Sequence, residues 1–123
     1  MILADTSVWV EHLRHGLRSL SAALHDEQVL MHPFIVGELA CGNLRNRSEL
    51  LALLERLPFA ASASDAEALA FIETRRLMGR GIGYVDVHLL ASTSLSPAAR
   101  LWTHDRRLAA VAAKLGLEHR ASS

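Results

Sequence analysis

The stretch that most constrains this chain is its first nine residues, Met1 to Trp9. Ile2, Leu3 and Ala4 read as a short strand buried on both faces, the pattern of a strand inside a parallel sheet. The run stops at Asp5, after which Thr6 and Ser7 offer helix-capping hydroxyls ahead of Val8, Trp9, Val10 and Leu13. A carboxylate therefore stands where a buried strand ends and a helix begins. In open α/β sheets that edge, outside the carboxyl ends of the strands, is where ligands bind.

The rest of the chain repeats the alternation. A first helix over about Ser7–His15 breaks at Gly16, and Leu17, Leu20, Ala23 and Leu24 mark a second. Val29–Met31 reads as a strand, followed by Pro33 at the start of a helix over about Phe34–Leu44. Ser48 is the expected cap of the next helix, which carries Leu50, Leu51, Leu54 and Leu57 and ends at Pro58. Phe59–Ala61 is a weak strand. Ser64 and Glu67 have capping-box spacing and open a helix reaching about Met78. Gly79, Gly81 and Gly83 then form a turn; without a Gly-Lys-Ser/Thr ending they do not make a nucleotide-binding loop. A helix over Tyr84 to about Leu95, a strand over Arg100–Thr103, a helix over Leu108–Leu115 and a faint strand near Leu117–His119 complete the order. The expected architecture is one domain over residues 1–123, a three-layer α/β/α sandwich with a mostly parallel central sheet.

Composition narrows the function classes. Formal net charge is zero, so bulk charge gives no argument for nucleic acid, although Lys114 is the only lysine and the other cations are arginines, which suit bidentate phosphate contacts. Cys41 is alone, which excludes an intramolecular disulfide or a zinc finger. Asp5 and Glu11 interrupt the place of a signal-peptide core, and no long uncharged apolar run is present, so the reading is a cytoplasmic domain with no membrane attachment.

Four carboxylates stand out. Asp5 and Asp105 each follow a strand and should share one sheet edge, and Asp86 lies in the first turn of a helix. Each of these three also has an ordinary explanation as a helix cap. Glu38 does not: it lies inside an apolar helix among Phe34, Ile35, Val36, Leu39 and Cys41, where a lone carboxylate is costly to bury unless paired, for instance with Arg75 or Arg76. If the four converge, their repulsion calls for a cation, and an oxygen-only set favours Mg²⁺ or Mn²⁺ over zinc.

The segments Ile2–Trp9, His32–Ala40, Gly81–Ser92 and Leu101–Leu108, in this order, resemble the PIN-domain ribonucleases of the VapC toxin type. The resemblance implies a Mg²⁺- or Mn²⁺-dependent endoribonuclease, the toxin of a toxin–antitoxin pair, that hydrolyses RNA through a metal-activated water. It implies an acidic site of Asp5, Glu38, Asp86 and Asp105. Asp5 and Asp86 are its direct metal ligands, Asp105 binds directly or through water, and Glu38 helps place the metal or the water. Thr6, Ser7 and Thr103 orient those carboxylates. It further implies a homodimer and a cognate antitoxin that covers the site.

Two other classes stay open on the residues alone. One is a non-catalytic binding module whose carboxylates merely cap helices. The other is an aspartate phosphotransfer domain, disfavoured because position 7 is Ser where a phosphatase pattern wants a second Asp, and because the sole lysine falls in a helix. His12 and His15, at helical spacing, read as a solvated face. Cys41, Trp9 and Trp102 read as core. His88 and His104 lie near the acids, and Arg106 and Arg107 are the first cations to suspect of phosphate contact.

Overall fold

A computed structural model describes residues 1–121. Three parallel strands, β1 (Ile2–Ala4), β2 (Val29–Leu30) and β3 (Arg100–Trp102), form a sheet in the order β2-β1-β3. Seven helices surround it among the described residues: α1 (Thr6–His15), α2 (Arg18–His25), α3 (Pro33–Ala40), α4 (Arg47–Glu55), α5 (Asp65–Arg75), α6 (Tyr84–Leu95) and α7 (Arg106–Lys114). The result is the expected α/β/α sandwich. Strand β1 is central, with Leu3 and Ala4 fully buried, which is why it carries no polar residue before Asp5. The weak strands expected at Phe59 and near Glu118 are present as single parallel bridges, Met31 to Phe59 and Leu101 to Glu118, that extend the sheet at either edge.

The chain leaves β1 toward β2 on one side and returns to β3 on the other. The carboxyl ends of β1 and β3 therefore flank the point where strand order reverses, the usual place for a ligand crevice in such sheets. Ala4 pairs with Trp102, and the Asp5 N–H donates to the Trp102 carbonyl at 2.9 Å, so the ladder runs up to the first acidic residue. Trp9 and Trp102 are core residues as expected, 3% and 5% exposed.

Several boundaries differ from those read in the sequence, each for a local reason. Helix α3 ends at Ala40, not Leu44, and the Arg47 guanidinium donates to the carbonyls of Ala40 and Gly42, closing the turn that follows. Helix α4 is preceded by Asn46 in the left-handed conformation, φ 51° and ψ 45°, and Ser48 lies inside it rather than capping it. Helix α5 does open with the Ser64–Glu67 capping box, but ends three residues early because Arg76 turns left-handed at φ 54°. Helix α7 starts at Arg106, two residues before Leu108, because Asp105 caps it. Cys41 is exposed, not a core residue: it follows the last turn of α3 on the outer side.

No helix among the described residues is long and apolar enough to cross a membrane.

Candidate active site

The site is built on Asp5. Its carboxylate is 6% exposed, and both oxygens are clamped. Oδ1 accepts from the Ser7 hydroxyl at 2.5 Å and from the Val8 N–H at 3.3 Å, while Oδ2 accepts from the Thr103 hydroxyl at 2.5 Å. Each hydroxyl also accepts a backbone N–H, Ser7 from His104 at 3.0 Å and Thr103 from Asp105 at 3.0 Å. Two hydroxyls thus convert two backbone donors of the β3–α7 turn into donors aimed at one carboxylate. This fixes its orientation without neutralising it. The orienting positions expected at Ser7 and Thr103 are where the structure puts these bonds.

Thr6 acts elsewhere: its hydroxyl donates to Glu38 Oε1 at 2.7 Å, tying the first residue of α1 to α3. Glu38 is exposed and pairs with neither Arg75 nor Arg76. The expectation that it lies in an apolar environment fails because α3 turns Ile35 and Leu39 inward and Glu38 outward. Arg75 instead lies over the Phe71 ring, 5.2 Å from its centroid.

Asp86, on the first turn of α6, accepts the Gly83 N–H at 3.1 Å through Oδ2. Its carboxyl is held above the usual carboxylate range first by burial and then by the charges of Asp105, Asp5 and Glu38, the Gly83 bond opposing. The charges of the other three acids thus reach Asp86, although the four do not draw together into one cluster among the described residues. Asp105 caps α7, its Oδ1 accepting the Leu108 N–H at 2.9 Å.

The donor chemistry suits a hard cation. Asp86 Oδ1, Asp105 Oδ2 and Glu38 Oε2 make no protein hydrogen bond among the described residues, leaving oxygens for a ligand. No three His, Cys, Asp or Glu side chains among the described residues form a ready-made cage. A cleft of about 540 Å³ lies beside the site, lined by Val10, Leu13, Arg14, Leu39 and Leu50, with Glu38 on its wall; Asp5, Asp86 and Asp105 do not line it.

The histidines divide. His88 is buried, and its Nε2 meets Asp65 Oδ1 at 3.0 Å, with the Tyr84 hydroxyl donating to the same oxygen at 2.8 Å. It braces α6 against α5 and does not face the acids. Asp65, unremarked in the sequence beyond its capping segment, is thereby a support for the helix that carries Asp86. The signal available was the four-residue spacing of Tyr84 and His88, which puts both on one helical face. His104 pairs with Glu11 at 2.9 Å. His12 Nδ1 accepts the Leu17 N–H at 3.0 Å, an internal brace and not half of a metal pair with His15.

The PIN-domain family matches residues 2–114, which include all four acids and the whole β2-β1-β3 sheet. The chain belongs to the VapC family of PIN-domain proteins. It is 44% identical over 117 residues to proteins named Ribonuclease VapC32 from two strains of Mycobacterium tuberculosis, CDC 1551 / Oshkosh and H37Rv, with 95% of this chain and 94% of each relative covered. In this VapC-family chain the acids come from the end of β1, from α3, from the first turn of α6 and from the β3–α7 turn.

Thr103 offers a test of the clamp. Thr103→Val keeps the side-chain shape but leaves Asp5 Oδ2 and the Asp105 N–H without their shared partner. RNA cleavage is expected to fall ~10-fold with the fold retained by circular dichroism. Unchanged cleavage would show that the orientation of Asp5 does not depend on this hydroxyl.

Proposed function

We propose that this protein is a Mg²⁺- or Mn²⁺-dependent endoribonuclease, the toxin of a toxin–antitoxin pair. The single observation that carries the reading is the clamp on Asp5, a buried carboxylate whose two oxygens are held by the Ser7 and Thr103 hydroxyls at the carboxyl end of the central strand. Helix capping accounts for one oxygen each of Asp5, Asp86 and Asp105 but not for the Thr103 bond to the second oxygen of Asp5 or for the Thr6 bond to Glu38.

Asp5, Asp86 and Asp105 are the residues that would hold the cation. When bound, it supplies Lewis-acid chemistry: it lowers the pKa of a water and offsets charge on the phosphodiester. The chain's own contribution is positional. Ser7 and Thr103 hold Asp5 in one orientation, Gly83 holds one oxygen of Asp86 and leaves the other free, and Thr6 steadies Glu38 at the edge, where it can accept a proton from water. The reading extends to a homodimer in the cytoplasm and to a cognate antitoxin that covers the acids. Leu53, Leu69, Met78 and Leu95, all exposed, give such contacts apolar surface.

The test is cleavage of total cellular RNA by purified, partner-free protein with Mg²⁺ or Mn²⁺ and with EDTA, beside identically purified Asp5→Asn. Discrete cuts that need metal and vanish in the variant are the expected result. Equal cutting by both, in preparations shown free of contaminating ribonuclease, would sink the mechanism.

One observation favours a second reading, a binding module without catalysis: the side chains of Asp5, Asp86 and Asp105 do cap α1, α6 and α7. A ligand that binds only the folded state raises its melting midpoint, so a rise in millimolar Mg²⁺ or Mn²⁺ separates the metal site from simple caps. The phosphotransfer reading has no support, since Lys114 lies in the last turn of α7 and not at a strand end.

A further inference from the structure

Two arginines follow Asp105, and the structure treats them differently. Both are exposed, and it is the Arg107 side chain whose Nη1, Cδ and Cζ are the atoms nearest to where a Cβ on Gly81 would stand. A Cβ on Gly81 would stand 2.7 Å from Arg107 Nη1 and 2.8 Å from its Cδ, so a larger residue there would push the guanidinium from this position. Gly81 also has φ +77°, which itself favours glycine. The residue that reads in the sequence as part of a plain turn is thus the seat of a cation.

That seat lies across the rim of the acidic region. Arg107 belongs to the first turn of α7, two residues after Asp105; Gly81 lies two residues before Gly83, whose N–H holds Asp86. The arginine spans from the element carrying one acid to the loop leading into another. Among the described residues it forms no salt bridge, although four carboxylates stand in this part of the molecule. It does not serve helix stability either, since the first turn of a helix disfavours a cation. What remains is an exposed guanidinium lying over Gly81, beside carboxylates that repel polyanions.

We propose that Arg107, seated on Gly81, contacts a backbone phosphate of the RNA and so holds the strand across the acidic site. The inference rests on the ribonuclease reading. It makes Arg107 a positioning residue, with its effect in binding, and it makes Gly81 part of the same device.

The probe is a fluorescein-labelled single-stranded RNA twelve nucleotides long and of random sequence, followed by anisotropy in EDTA over a series of salt concentrations. Arg107→Gln is expected to weaken binding several-fold and to reduce the slope of log Kd against log salt by ~0.7, the value for one phosphate contact on a single strand. Arg106→Gln keeps the wild-type slope. With total RNA and metal, Arg107→Gln raises KM while kcat stays within about twofold, as loss of uniform binding requires. Gly81→Ala reproduces the binding defect, and in the Arg107→Gln background adds nothing. A wild-type slope in Arg107→Gln, in a preparation whose wild type cleaves RNA, overturns this inference alone. A wild type that cuts no RNA with any metal overturns the ribonuclease reading and this inference with it.

Discussion

Asp86→Asn is expected to lower metal-dependent RNA cleavage by ~100-fold or more, on the scale of a lost electrostatic stabiliser, while raising the melting midpoint at neutral pH. The two effects have one cause. Burial and three neighbouring acids raise the folded-state pKa of Asp86, so the folded protein holds that proton more tightly than the unfolded chain does. The resulting stability is fully present below the ordinary carboxylate pKa and is lost as pH rises through the raised value. At neutral pH the ionised group opposes folding. Asparagine removes the charge and keeps an oxygen for the Gly83 N–H. Activity measured on total RNA and a melt in EDTA check the pair of effects. Full activity in the variant would remove Asp86 from the site; a lower midpoint would mean that its charge is not a source of strain.

The second large effect concerns acid. His32 is 2% exposed and its pKa is pushed down to about 4, first by burial and then by the proximity of His88. Its Nδ1 accepts the Phe34 N–H at 3.0 Å, capping α3, so the ring proton sits on Nε2, which meets the Ser92 hydroxyl at 3.2 Å. A second proton would break the cap and bury a charge. Because the unfolded chain takes up that proton first, the contribution is intact above pH 6.5, the ordinary value, and is lost progressively as pH falls toward about 4. From those two values the loss is about 3 kcal/mol. Urea denaturation at a series of pH values reads it directly. His32→Asn retains a side-chain oxygen for the cap but has no proton to gain. It should be less stable than wild type at neutral pH and should show a flatter decline into acid. An unchanged decline would place the acid sensitivity in other groups.

Local signals were legible where local physics decides. Tyr84–Leu95 is helical over the range read from its pattern, and Ser64 and Glu67 make the box that their spacing predicts. Asp5 and Asp105 could be placed on one edge because each follows a buried strand, and the pairing of β1 with β3 bears this out. Glu38 shows where such reasoning stops. Its apolar neighbours in sequence are mostly turned toward the core, and a helix of eight residues with one buried face leaves room for an exposed carboxylate among them. The left-handed residues Asn46 and Arg76, which set the start of α4 and the end of α5, carry no glycine to announce them. The spacing of Tyr84 and His88 puts both on one face of α6, but that Asp65 meets them, and that Arg107 lies over Gly81, depends on how α5, α6 and α7 pack, which no pattern within one segment reports.

The bond between Thr103 and Asp5 joins residues 98 positions apart. A chain emerging from the ribosome has made three of its four acids by the time residue 86 is added, yet Asp5 still lacks its partner hydroxyl and the sheet lacks β3. Completion of the site waits on β3 and the turn after it, the third strand of the sheet in chain order. Until Thr103 is in place the Asp5 carboxylate lacks the hydroxyl that fixes its second oxygen, so a chain cut short ahead of that residue is expected to hold no oriented site.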